Sequence, residues 1–159
     1  MRIVAVSGGF DPIHSGHLAM LRQAAALGDR LVVGVNSDAW LTRKKGKPFM
    51  NSEERKGILL AIKWVDSVWE FNDSDGTAYD FLDKVRTYYY TKASEYVFAN
   101  GGDRNETNNT EADAYGWRFV YGIGGSDKKN SSSKLLKDWQ NESSGGDSNN
   151  RFRYITEMY

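Results

Sequence analysis

Apolar residues in this chain come in short blocks separated by longer amphipathic stretches. Residues 3–6 (IVAV) are an uninterrupted apolar run bounded by Ser7-Gly8-Gly9, which predicts a strand buried on both faces, as in a parallel sheet. Four more strands are predicted at 30–35 (RLVVGV), 67–71 (SVWEF), 95–99 (EYVFA) and 117–121 (WRFVY). Helical spacing fills the intervals. Leu18, Leu21 and Ala25 form one stripe from Gly16 onward, and Leu27-Gly28 offers a stop. Asn51 with Glu54 three residues later is close to a capping box, opening a helix whose apolar face is Ile58, Leu59, Ile62 and Val65. A helix over 78–90 turns Phe81, Leu82, Val85 and Tyr89 inward, and a short final helix is predicted over 131–139 behind a serine cap. Thr42 to Pro48 (TRKKGKP) reads as a basic loop.

Strands and helices therefore alternate, which predicts an α/β domain around a parallel sheet. The first strand–helix–strand unit is of about the minimum size for a right-handed crossover. The domain is expected over 1–140, followed by a polar linker at 141–150 (NESSGGDSNN) and a tail at 151–159 (RFRYITEMY).

Composition narrows the function classes. A length of 159 residues suits one domain with a sizeable core. Lysine plus arginine and aspartate plus glutamate both number 21, and this balance argues against a broad nucleic-acid surface but not against a local basic pocket. The absence of cysteine excludes disulfides and thiolate zinc sites. No stretch approaches the ~20 apolar residues of a membrane span. The chain enters a strand without a leader, so a cytoplasmic location is expected. The aromatic surplus (Trp69, Tyr88, Tyr89, Tyr90, Trp139) is compatible with either a core or the interface of a homodimer.

Candidate chemistry gathers at the strand ends. In open parallel sheets ligands sit at the carboxyl ends of the strands. The polar segments there are 7–17, 36–38, 100–103 and 122–133, with Lys44, Lys45, Lys47, Lys128 and Lys129 nearby. Glycines, hydroxyls, histidines and cations together suit a polyphosphate. Gly8 and Gly9 admit a ligand to the backbone, and the helix starting near Ser15 offers free N–H groups and a positive dipole end. His14 and His17, the only histidines, are three apart and face the same way on a helical turn. They could ligate a metal or donate hydrogen bonds to phosphate oxygens. No third ligand is evident, so no resident metal is assigned. On its own, the run Arg43, Lys44, Lys45, Lys47 reads as a solvated loop, and Ser131-Ser132-Ser133 as a helix cap. The GIGG at 122–125 fails the GxGxxG spacing, and no P-loop is present.

The segment Gly8-Gly9-Phe10-Asp11, followed by His14-Ser15-Gly16-His17, resembles the GxFDxxHxGH signature of the cytidylyltransferase-like nucleotidyltransferases. LGDRLVVGVNSD (27–38), the KGKP loop with Glu54-Arg55, NGGD (100–103) and SSSK (131–134) resemble further family blocks in order, covering roughly 1–139. The nearest branches are the heptose-phosphate adenylyltransferases and the glycerol-3-phosphate cytidylyltransferases. The resemblance implies a Rossmann-like doubly wound parallel sheet of about five strands. It implies transfer of a nucleoside monophosphate from ATP or CTP to a phosphorylated sugar or polyol, with release of pyrophosphate and with Mg2+ accompanying the triphosphate.

Carried over by position, His14 and His17 would stabilise the α-phosphate. Lys44 or Lys47 would hold phosphate oxygens. Ser7, Gly8, Gly9, Phe10, Asp11 and Gly16 would line the nucleotide cradle. Arg55 and Asp103 would contact the nucleotide, and Ser131, Ser132 and Ser133 would cap the final helix at the β- and γ-phosphates. Two departures blur the branch. The interval before the serines reads GGSDKKN without the arginine common in glycerol-type members, and SSS replaces STT. The base therefore stays open between adenine and cytosine. The contrasting expectation is a non-catalytic nucleotide-binding module, which intact histidines and lysines disfavour. A flavodoxin-like domain would not need the histidine pair.

Overall fold

The structure, a computed structural model, describes residues 1–101, 105, 107–111, 113–124 and 131–145. Its strands are β1 (Arg2–Gly8), β2 (Arg30–Val35), β3 (Ser67–Glu70), β4 (Glu95–Gly101) and β5 (Trp117–Ile123). Its helices are α1 (Ser15–Ala25), α2 (Asp38–Lys45), α3 (Ser52–Leu60), α4 (Tyr79–Tyr88) and α5 (Ser132–Gly145). The strands form one sheet in the order β3-β2-β1-β4-β5, all neighbours parallel. The doubly wound α/β expectation thus holds. All carboxyl ends lie along one edge of the sheet, and the order reverses between β1 and β4, where ligands of such sheets bind.

Both faces of the sheet are covered, which explains the non-alternating strands. On β1, Val4 and Val6 join a core with Leu21 and Ala24 of α1 and Leu59 of α3. Ile3 and Ala5 join the opposite core with Phe81, Leu82 and Val85 of α4. Gly34 in β2 is required by this second layer, because a Cβ there would sit 2.8 Å from the Phe81 ring. At roughly 25 cal/mol per Å² of apolar surface removed from water, these two layers are the main stabilising term.

Three expectations change. Leu18 is 40% exposed, and α1 buries Leu21 and Ala24 instead. The basic loop at 42–48 is largely helical: Thr42–Lys45 form the last turn of α2, which Ser37 caps by accepting from Trp40 N. That helix buries only Leu41, so it leaves almost no apolar period to read. Finally, α5 continues to Gly145, five residues into the stretch read as a linker, since no Gly or Pro interrupts 132–144. The tail 151–159 lies outside the described residues. Tyr88, Tyr90 and Trp139 are exposed, while Trp69 and Tyr89 are half-buried against the α4 core.

Candidate active site

The corner after β1 is built from the strand outward. The Asn36 N–H donates to Gly8 O at 2.9 Å, so the two central strand ends are tied together. Phe10 then takes φ +52°, the left-handed region that costs an ordinary side chain about 1–2 kcal/mol. Burial holds it there: Phe10 is 2% exposed and belongs to the core. A Cβ at Gly8 would stand 3.2 Å from the Phe10 ring, and one at Gly9 would stand 3.0 Å from Leu41 of α2. The two glycines therefore admit a buried phenyl ring and a helix as well as any ligand.

His14 and His17 form one unit. His14 is the N-cap of α1, and its Nδ1 accepts from Gly16 N at 3.0 Å. His17 reciprocates, its Nδ1 accepting from His14 N at 3.2 Å. The pair is thus a capping box made of two imidazoles, with rings stacked at 3.9 Å and 30°. An imidazole nitrogen that accepts carries no proton, so in neutral rings the hydrogen sits on Nε2 of each. Burial, and then the neighbouring His14, push the His17 pKa down from 6.5 to about 3. His17 is therefore a neutral donor at ordinary pH. Gly16 makes this geometry possible, because a Cβ there would lie 2.8 Å from His14 Cε1. No acidic residue occupies the first turn of α1 to compete with an anion.

Two residues expected at the nucleotide are committed to the protein itself. Asp11 is 2% exposed, and its carboxylate accepts from Phe49 N at 2.7 Å and Met50 N at 2.6 Å while pairing with Lys45 Nζ at 2.8 Å. Arg55 is 1% exposed and donates to Met50 O, Gly9 O, Asn36 O and Asp38 Oδ1 at 2.7–3.0 Å. Both hold loops in place through these internal partners. Among the lysines, Lys45 is the one turned inward; Lys44 and Lys47 stay exposed, with Lys44 Nζ 4.7 Å above the Trp40 ring.

Asp73 was missed by the sequence reading. It is 4% exposed and accepts from Asn36 Nδ2, Ser37 N and Ser37 Oγ at 2.7–3.1 Å, locking the end of β2 beside the site. The same strand-end rule that picked out the other polar segments would have found it at Asn72-Asp73, just beyond β3. The buried role of Arg55 also had a signal, since it precedes Leu59 by four on the apolar stripe of α3.

The serine run reaches the corner. Ser132 Oγ donates to Pro12 O at 2.7 Å, and Ser131 Oγ accepts from Lys134 N at 3.1 Å, so the start of α5 is capped and docked on the histidine loop. Ser133 is exposed. On the far side, Gln23 of α1 accepts from Gly124 N at 2.9 Å, fixing the exit from β5. Asp103, Lys128 and Lys129 lie outside the described residues.

Together, the corner presents the stacked imidazole pair and the N-termini of two helices, with exposed lysines on and just after α2. That set suits an anion with several oxygens. Among the described residues, no group of three or more His, Asp or Glu side chains could hold a metal ion. The Nδ1 lone pairs of both histidines are already engaged in the capping box. Also among the described residues, no helix is long and apolar enough to cross a membrane.

Known proteins are similar to this chain in family and in fold. The family model described as cytidylyltransferase-like matches residues 5–121. The bifunctional protein HldE of Pseudomonas syringae pv. syringae is 40% identical over 97 residues, covering 60% of this chain and 20% of that protein. The ethanolamine-phosphate cytidylyltransferase of Dictyostelium discoideum is 51% identical over 67 residues, covering 42% of this chain and 19% of that protein. The chain thus spans about a fifth of the length of these curated relatives. Among solved structures, a lipopolysaccharide core biosynthesis protein from Thermoplasma volcanium superposes with a TM-score of 0.61 at 23% identity, over 80% of this chain and 99% of that one. A bifunctional NMN adenylyltransferase/ADP ribose pyrophosphatase from Francisella tularensis, complexed with AMP and a manganese ion, superposes with a TM-score of 0.64 at 15% identity, over 88% of this chain and 42% of that one. At such identities the two structures speak to the fold alone.

Proposed function

Because the chain belongs to the cytidylyltransferase-like family, we propose that it is a nucleotidyltransferase that moves a nucleoside monophosphate from ATP or CTP onto a phosphorylated sugar or polyol. The observation that carries this reading is the stacked histidine pair at the N-terminus of α1, each Nδ1 engaged as the acceptor of a capping bond. A phosphate oxygen of the acceptor attacks the α-phosphorus in line. The new P–O bond forms as the bond from the α-phosphorus to the bridging oxygen of the β-phosphate breaks, and pyrophosphate leaves. No covalent enzyme intermediate is required, and positioning with charge stabilisation is the protein's whole contribution.

In this reading the Nε2–H groups of His14 and His17 donate to the α-phosphate oxygens as negative charge shifts in the transition state. His17 does so as a neutral imidazole and transfers no proton, consistent with its lowered pKa. The cationic help comes from Lys44 and Lys47, and Ser133 with the start of α5 receives the β- and γ-phosphates. Backbone groups of Ser7, Gly8, Gly9 and Phe10 line the cradle, and Asp103 stays a proposed nucleotide contact. Magnesium enters as the counter-ion of the triphosphate substrate. The cytoplasm is the proposed site of this work, since the reaction consumes a nucleoside triphosphate.

The test is pyrophosphate release from ATP, CTP, GTP or UTP paired with glycerol 3-phosphate, heptose 1-phosphate, ribitol 5-phosphate or phosphopantetheine. One pair should give magnesium-dependent turnover, and His17→Ala should lower it by about two to three orders of magnitude without unfolding the chain. Near-normal turnover in that variant would sink the assignment.

A further inference from the structure

The segment from Gly9 to Pro12 receives side chains or amides from α2, the turn that follows it, α3 and α5. Arg55 of α3 holds Gly9 O at 3.0 Å and Met50 O at 2.9 Å. Lys45 of α2 reaches both the backbone and the carboxylate of Asp11, at 2.5 and 2.8 Å. The amides of Phe49 and Met50 converge on the two carboxylate oxygens of Asp11. Ser132 of α5 holds Pro12 O at 2.7 Å. Asp11 thus fastens both ends of the tight Gly46–Met50 turn: Lys45 precedes it, Phe49 and Met50 close it, and Lys47 sits exposed at its middle. That turn begins with Gly46 at φ +94°, a conformation glycine adopts freely. Without the latch, nothing in its own sequence would fix the height of Lys47 relative to the histidines.

We propose that Asp11 is a positioning residue: its buried carboxylate latches the Lys47-bearing turn to the histidine loop and so sets where Lys47 stands relative to the reacting phosphate. This rests on the nucleotidyltransferase reading above. The carboxylate is 1% exposed and the Lys45 side chain 19%, so water competes little for the ion pair. Two amide bonds and one cation occupy the buried carboxylate of Asp11, so its side chain is engaged with the protein itself. The consequence is a division of labour. Loss of the latch moves the lysine turn while the capping box of α1, whose bonds lie within residues 14–17, persists.

The test compares Asp11→Asn, Asp11→Ala and Lys45→Gln with the wild-type chain, by steady-state kinetics and by amide hydrogen exchange resolved at single residues. In Asp11→Ala the Phe49 and Met50 amides should exchange at least about tenfold faster, with β1 and β2 amides unchanged. Asp11→Asn keeps one carbonyl oxygen and should show a partial effect. Each variant should lower kcat by about tenfold through the displaced Lys47, with Asp11→Asn retaining more turnover than Asp11→Ala. Lys45→Gln, which leaves the carboxylate and its two amide bonds in place, provides the readout if the Asp11 variants do not fold. Unchanged Phe49 and Met50 exchange in Asp11→Ala, or wild-type kcat in a variant whose latch is broken, would overturn the proposal. Failure of the wild-type chain to release pyrophosphate with any pair would instead overturn the functional reading; exchange would then decide the latch, with faster Phe49 and Met50 amides upholding it and unchanged ones overturning it.

Discussion

Gly16 and His14 are matched: the imidazole of His14 occupies the space that a Cβ on Gly16 would need, 2.8 Å from Cε1. The small residue between the histidines therefore serves the first of them. Gly16→Ala must swing the His14 ring away and break its bond to Gly16 N. The expected cost in stability is about 1 kcal/mol, the usual loss for a helix cap. Turnover is expected to fall much further, by about a hundredfold, because a donor aimed at the transition state is displaced. Chemical denaturation and pyrophosphate release on the same preparation check both halves; a variant that lost stability and turnover in proportion would contradict the pairing.

His17 predicts a pH dependence with a definite sign. Its folded pKa is about 3 against an ordinary 6.5, so the unfolded chain binds the proton that the folded one refuses. Stability from this group is complete above pH 6.5 and is lost as pH falls from there toward 3. Between those limits its slope approaches ~1.4 kcal/mol per pH unit. The difference in unfolding free energy between the wild type and His17→Gln, followed from pH 7 to pH 4, should shrink by a corresponding amount. A difference that stayed flat or grew on acidification would contradict the depressed pKa. For the same reason, the pH profile of kcat/KM should carry no His17 ionisation between pH 5 and 8.

Arg55 supports three carbonyls that have no other side-chain donor among the hydrogen bonds described above: Gly9, Asn36 and Met50. Lysine has one ammonium and cannot reach the same fork of partners. Arg55→Lys is expected to cost about 2–4 kcal/mol, since each unsatisfied buried acceptor costs about 1–3 kcal/mol and some will recover through relaxation. Urea unfolding monitored by tryptophan fluorescence measures it. A cost under about 0.5 kcal/mol would show that the carbonyls find water instead.

Most of the fold was legible in the sequence because its central strands are covered on both faces, which writes uninterrupted apolar runs such as IVAV and RLVVGV. The histidine corner was legible because its glycines and histidines are packed into a few adjacent positions. What the sequence hid was direction. Nothing in the run of Arg43, Lys44, Lys45 and Lys47 tells which lysine turns inward, and the structure turns Lys45, which the functional assignment had passed over. Arg55 and Asp11 were expected at the nucleotide because the family resemblance implies it; the structure shows both buried among backbone groups that only the tertiary fold brings near. Helix α2 was hidden by its single buried residue, Leu41.

Gly57 offers a gain without functional cost. It lies in the interior of α3 on the exposed face, and a Cβ built there meets nothing within 4 Å. Glycine within a helix is less favourable than alanine by about 0.5–1 kcal/mol, because it loses more backbone entropy on folding. Gly57→Ala should therefore stabilise by that amount, with KM and kcat unchanged, as thermal unfolding and steady-state kinetics would report. A loss of stability would mean that the helix is bent or crowded there in a way the geometry does not show.

Ser132 and Ser133 should separate cleanly. Ser132 donates to Pro12 O at 2.7 Å and so ties α5 to the histidine loop, while Ser133 is exposed at the start of the same helix. Ser132→Ala leaves a carbonyl without its partner and frees the helix start to shift, so it should lower stability by about 1 kcal/mol and also raise the triphosphate KM. Ser132→Thr keeps the hydroxyl and should restore most of both. Ser133→Ala breaks no internal bond described above; if its hydroxyl meets the β- or γ-phosphate, triphosphate KM should rise by about three- to tenfold with the melting temperature unchanged. The contrast turns on one measurement, the melting temperature of each alanine variant beside its triphosphate KM. Equal effects on both quantities at the two positions would mean that the serines act only as a common helix cap, and would remove the proposed phosphate contact from Ser133.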